Sequence, residues 1–158
     1  MTEHPRVDYQ AFSKLAPAAQ AALLALGKAV DDAGLDKKLT ELVKLRASQI
    51  NGCAFCVQFH LNIARQIGVS PVKIDLVAAW KDAGVFSEQE CAALAWTELL
   101  TKVATHGAPD QAYAVLREHF SETEAVFLTI AIGAINNWNR LGVALCFSPP
   151  VTRQEAAA

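Results

Sequence analysis

The sequence predicts an all-α protein, and three observations carry that prediction. Ala and Leu abound from Pro17 onward, and no alternating apolar–polar run is flanked by hairpin turn residues. Leu39, Leu42, Val43 and Leu45 fall on one face of a helix. Two Ser-x-x-Glu pairs, Ser87 with Glu90 and Ser121 with Glu124, have the spacing of a helix-opening capping box.

The elements follow in order. Pro17 opens a helix through "AAQAALLALGKAV" that stops near Gly34. Asp36 caps a second, which Asn51-Gly52 breaks. A third helix runs from about Cys53 to Gly68, and Ser70-Pro71 starts a short fourth. Ser87 opens a fifth through about His106, and Pro109 begins another short one. Ser121 opens the last long helix, which ends before Pro149-Pro150. The expected organisation is a single domain over 1–158, with N-terminal helices in 1–35, a core in 36–147 and a loose tail in 148–158.

Composition narrows the function classes. The chain has 158 residues, enough to bury a core without staples. It is 53% apolar and only 19% charged, so surplus apolar surface points to a homo-oligomer. A net charge of −2 gives no reason to expect nucleic acid or an anionic membrane as partner. "MTEHPRVDYQ" lacks the apolar core of a signal peptide. The longest apolar run, 125–135, is short of the roughly 20 residues that span a bilayer. The expectation is a soluble, cytoplasmic protein, where paired cysteines are catalytic or metal-binding rather than a lasting disulfide.

Chemistry concentrates in "NGCAFCVQFH", 51–60. With Cys53 in the first turn of a helix, Cys56 and His60 follow at three and four residues, on one helical face. A helix N-terminus favours a thiolate, and CxxC pairs there lower cysteine pKa. Helix position favours Cys53 as the reactive sulfur. The histidine favours Cys56, since His60 is one turn from it and leans toward it. Cys56 is therefore assigned as nucleophile, His60 as its base and Cys53 as resolving partner. Inert packing thiols are the bland alternative. Zinc is the sharper one, but it usually draws on a second ligand pair, and Cys91 and Cys146 stand singly on apolar stretches as packing residues.

Upstream, Glu41 completes the pattern E-x11-C-x2-C-x3-H in "ELVKLRASQINGCAFCVQFH". This resembles the signature of the alkyl hydroperoxidase D-like (AhpD-like) branch of the carboxymuconolactone decarboxylase superfamily. "INNWNRLGVAL", 135–145, is similar to a segment of that family's last helix, and the likeness extends over roughly 35–147. The resemblance implies a compact AhpD-like helical bundle, an obligate trimer or hexamer, and thiol-dependent peroxidase chemistry on a small-molecule hydroperoxide. It implies no bound cofactor: a Cys53–Cys56 dithiol/disulfide cycle does the redox work, reset by an external dithiol or protein reductant. Cys53, Cys56, His60 and Glu41 match the redox and proton-relay residues, with the second cysteine as attacker. Phe55 departs from the pattern, since well-known members place a histidine between the cysteines. The alternatives are non-redox chemistry of the decarboxylase kind, whose members generally lack the cysteine pair, and a redox-sensing or zinc-binding module.

Helix geometry leaves the Glu41–His60 link open. In a hairpin about Gly52, His60 lies level with Lys44, and Glu41 sits about three residues, roughly 4–5 Å, deeper. Direct contact is then not assured, and a bridging water would serve as well. Without the resemblance, Glu41 reads as a surface carboxylate paired with Lys44 or Arg46. His4, His106 and His119 read as tail or helix-end residues, and Trp80, Trp96 and Trp138 as core or interface aromatics. Asn136, Asn137 and Asn139, in an otherwise apolar helix, are expected to bond across helices, or one to line the thiol pocket.

Overall fold

The computed structural model describes residues 5–151, and within them every regular element is helical. Two short elements lie outside the sequence expectation. One is α1, Tyr9–Leu15, capped by the Asp8 carboxylate on the Ala11 amide. The other is the stretch after α5 (Pro71–Leu76), where a 3₁₀ turn at Val77–Ala79 leads into α6, Trp80–Ala83.

The remaining helices sit close to their predicted places. α2 spans Pro17–Asp32 and α3 spans Lys37–Ile50, with Asp36 capping the Lys38 amide. α4 spans Ala54–Gln66. α7, Glu88–Thr101, and α10, Glu122–Leu145, both begin with complete capping boxes, from Ser87/Glu90 and Ser121/Glu124. The run expected to continue to His106 breaks instead at Lys102, and α8, Val103–His106, is a separate turn. α9 follows Pro109 over Asp110–His119.

α3 is the central helix, packed against α4, α7 and α10. Its predicted apolar face is fully realised, with Leu42, Val43 and Leu45 at zero exposure. Val43 and Leu39 meet Leu128 and Ile132 of α10 and Trp96 of α7. Leu42 and Leu45 meet Ala64 of α4, and Val77 and Trp80 beyond it. Trp80 and Trp96 are core aromatics with satisfied ring N–H groups, on Glu98 at 2.9 Å and Thr129 at 3.0 Å. Arg46 pairs with Glu98, which also binds Lys81, tying α3, α6 and α7 together.

His106 and His119 end α8 and α9, as their positions suggest. His4 and residues 152–158 of the expected tail lie outside the described residues. Among the described residues no helix is long and apolar enough to cross a membrane.

Candidate active site

The α3–α4 turn builds the thiol site. Asn51 still bonds back to Ala47, and Gly52 then reverses the chain at φ +67°, a left-handed conformation that glycine adopts without strain. The reversal lets the Cys53 amide bond to the Ser48 carbonyl at 3.1 Å. Cys53 is thereby the N-cap of α4, one position earlier than its expected place in the first turn. Its Sγ accepts the Cys56 amide at 3.3 Å, the task a Ser or Asp oxygen performs at other N-caps.

The two cysteines are free thiols with Sγ atoms 2.7 Å apart, both nearly inaccessible to solvent. A hydrogen bond from Cys56 lowers the Cys53 thiol from 9.0 to about 7 against the opposing effect of burial, helped by the Cys56 amide and Asn139. The Cys56 thiol moves the other way. Its bond to Cys53, burial and the neighbouring charge all oppose its ionisation once Cys53 is ionised. Only Cys56 of the pair lines the adjacent cavity.

That cavity, of about 130 Å³, is walled by Leu23, Leu24 and Val30 of α2, Ile135 of α10, and the rings of Tyr9, Phe55, Phe59 and Trp138. A void of roughly this size admits a small aromatic molecule. Phe55 stacks on Tyr9 at 5.2 Å and on Phe59 at 6.0 Å, so the residue between the cysteines is part of the apolar wall. His60, Lys44 and Cys56 supply the polar features of the lining.

The structure answers the question left open about the relay. Glu41 meets His60 directly, Oε2 to Nδ1 at 2.7 Å, with no water needed. The axial offset of roughly 4–5 Å counts helical rise alone, and the reach of the two side chains spans it. Glu41 is also no surface carboxylate. It is fully buried, with Oε1 held by Lys44 at 3.0 Å and Lys37 at 3.2 Å. Burial alone would raise its carboxyl, but the bond to and charge of His60, then Lys44, outweigh that and hold it at about 2. His60 lines the same cavity as Cys56. Among the described residues no hydrogen bond joins His60 to a sulfur; the group in contact with Cys56 Sγ is Cys53 Sγ. With Nδ1 committed to Glu41, Nε2 is the ring nitrogen left for proton exchange. Among the described residues no cluster of three or more His, Cys, Asp or Glu is arranged to hold a metal ion.

Sequence reasoning passed over two contributors, Tyr9 and Gly142, and the place of a third, Lys44, on the cavity wall. Tyr9, on the unforeseen α1, reaches the cavity. Lys44, already read as a partner for Glu41, lines it while pinning that carboxylate. Gly142 of α10 lies so close that a Cβ there would stand 2.7 Å from Cys53 Sγ. The Asn-rich segment was the available signal for α10. Asn136 and Asn139 are buried and bonded across helices, whereas Asn137 is exposed.

A capped CxxC facing an apolar cavity, with a buried Glu–His pair on its wall and an all-helical scaffold, defines an AhpD-like protein. The chain belongs to the carboxymuconolactone decarboxylase family, whose model matches residues 17–99. It is 34% identical over 140 residues to the uncharacterized protein YdfG of Bacillus subtilis, covering 89% of this chain and 93% of that one. An Agrobacterium tumefaciens protein of unknown function, described as a candidate antioxidant defence protein AhpD, has a crystal structure that superposes with a TM-score of 0.88. It is 45% identical, over 94% of this chain and all of that one. The debrominase Bmp8 shares the fold at a TM-score of 0.75 and 20% identity, over 89% of this chain and 75% of its own.

Proposed function

We propose that this protein is a thiol-dependent peroxidase that reduces organic hydroperoxides through a Cys53–Cys56 dithiol/disulfide cycle. The observation that carries the reading is a sulfur on the cavity wall, Cys56, with a second sulfur 2.7 Å behind it. The Cys56 proton passes across that contact to Cys53, placing the negative charge on the sulfur that faces substrate. Cys56 attacks the terminal peroxide oxygen, the O–O bond breaks, and the electron pair leaves on the alkoxide. A proton delivered by way of His60 completes the alcohol, while Glu41 holds the imidazole in the one orientation. Cys56 is then a sulfenic acid. Cys53 sulfur attacks it, an S–S bond forms, the S–O bond breaks, and the oxygen departs as water. An external dithiol returns two electrons and two protons by exchange.

The cavity's apolar, ring-lined wall suits a hydroperoxide with a small aromatic or branched alkyl group. The AhpD-like relationship supports the peroxidase reading over other thiol chemistry on this fold. In the same reading the protein works as a homo-oligomer, a trimer or hexamer, for which exposed Leu15, Leu24, Val72 and Val126 supply apolar surface.

Stopped-flow oxidation of the reduced protein by cumene hydroperoxide tests the assignment. Cys56→Ser is expected to lose the fast reaction by at least about 1000-fold, since no thiolate then faces the cavity. Cys53→Ser should still react, more slowly, and accumulate a sulfenic acid that dimedone traps. A peroxide rate unchanged in Cys56→Ser refutes the role given to it.

A further inference from the structure

We propose that the side-chain amide of Asn139 is the fixed donor that holds the thiolate of the cysteine pair, and that Asn136 and Asn51 are positioning residues that lock its orientation. The inference rests on the dithiol reading above and deepens it.

α10 presents Ile135, Asn139 and Gly142 on one face, at i, i+4 and i+7. Ile135 packs against both cysteines, and Gly142 leaves the gap that Cys53 Sγ fills. Asn139 lies between them, 1% exposed, and its amide favours the ionised form of either sulfur. A primary amide offers either a donor or an acceptor to such a neighbour, and only the donor helps an anion.

The surrounding bonds decide which it is. The Ile132 carbonyl only accepts, so Asn136 must turn Nδ2 toward it, at 2.9 Å. That leaves Asn136 Oδ1 for Asn51, which must therefore offer Nδ2, at 2.9 Å. The same Asn51 Nδ2 donates to Asn139 Oδ1 at 2.8 Å, so the Asn139 oxygen is taken. Nδ2 of Asn139 faces the other way. One of its hydrogens goes to Ser48 Oγ at 3.0 Å, whose own hydrogen is spent on the Lys44 carbonyl at 2.7 Å. The second hydrogen is left for sulfur. A backbone carbonyl thus fixes, through three amides, a neutral donor at the thiolate that stays a donor at every working pH. A flipped amide would turn an oxygen on the anion instead. The titratable and charged groups on the packed elements are Tyr9 of α1, Glu41 and Lys44 of α3, His60 of α4 and Arg140 of α10. Among the described residues none of them hydrogen-bonds a sulfur.

The test is titration of ultraviolet thiolate absorbance in reduced protein, with Cys91→Ser and Cys146→Ser removing the other thiols. No oxidant is present, so the outcome stands or falls separately from peroxide turnover. Asn139→Ala should move the first thiol midpoint up by about one to two pH units, the loss of one hydrogen bond to an anion. Ser48→Ala, which removes a partner of Asn139 but no donor to sulfur, should leave it within about 0.3 unit. Asn51→Leu, which touches no sulfur, should raise it by about half a unit or more through loss of orientation. An unchanged midpoint in Asn139→Ala, or an equal shift in Ser48→Ala, overturns the proposal. Should Asn139→Ala fail to fold, Asn51→Leu decides alone, and no shift there overturns it.

Discussion

Glu41 carries a full charge at zero exposure, which is tolerable only because three cationic or hydrogen-bonding partners surround it. Its depressed carboxyl has a definite sign. A group whose folded pKa lies below its unfolded one stabilises the fold above the unfolded value and loses that contribution on acidification. For Glu41 the window runs from about 4.5 down to about 2. Glu41→Gln should cost about 3 kcal/mol at pH 7, the low end for breaking a buried pair. The gap between variant and wild type in urea unfolding should then narrow as pH falls through that window, and a gap of constant size contradicts the account. Peroxide reduction by Glu41→Gln should fall roughly tenfold or more, read as kcat/KM, because the imidazole loses its orienting carboxylate.

At the scale of the element, α10 holds two glycines in opposite settings. Gly133 is exposed, and a Cβ there would meet nothing within 4 Å. Gly133→Ala should therefore raise the unfolding free energy by about 0.5–1 kcal/mol through helix propensity alone. At Gly142 the same gain is opposed by a sulfur 2.7 Å away, and overpacking costs about 1–3 kcal/mol. The expected net effect of Gly142→Ala is a loss of about 1 kcal/mol, with opposite signs in the two variants by urea unfolding. Equal gains in both would mean that Cys53 has free room. The helices themselves were largely legible in the sequence, since capping boxes, Asp36 and Pro17 mark ends by local chemistry. α1 was not, because seven residues carry too little periodicity and its stability comes from Tyr9 and Phe12 packing on Phe55, Trp138 and Phe147. The motif spacing brought the cysteines together on the page. It did not reveal Gly142, whose closeness to Cys53 is a contact between segments nearly ninety residues apart.

For the whole molecule, the fold's work is to lay α4 and α10 on the buried helix α3, so that a turn, a histidine and an asparagine network converge on two sulfurs. Truncating the centre of that arrangement, as in Leu45→Ala, should cost about 2–5 kcal/mol in denaturant unfolding and loosen the site with it. Light scattering of the intact protein should give three or six times the 17.0 kDa chain mass; a monomer at micromolar concentration contradicts the proposed assembly. The most direct test of the central claim is peptide mass spectrometry after one equivalent of cumene hydroperoxide. The account predicts loss of two hydrogens from a single peptide bearing a Cys53–Cys56 bond, formed within one turnover. Oxygen added at Cys91 or Cys146 while Cys53 and Cys56 stay reduced would contradict it.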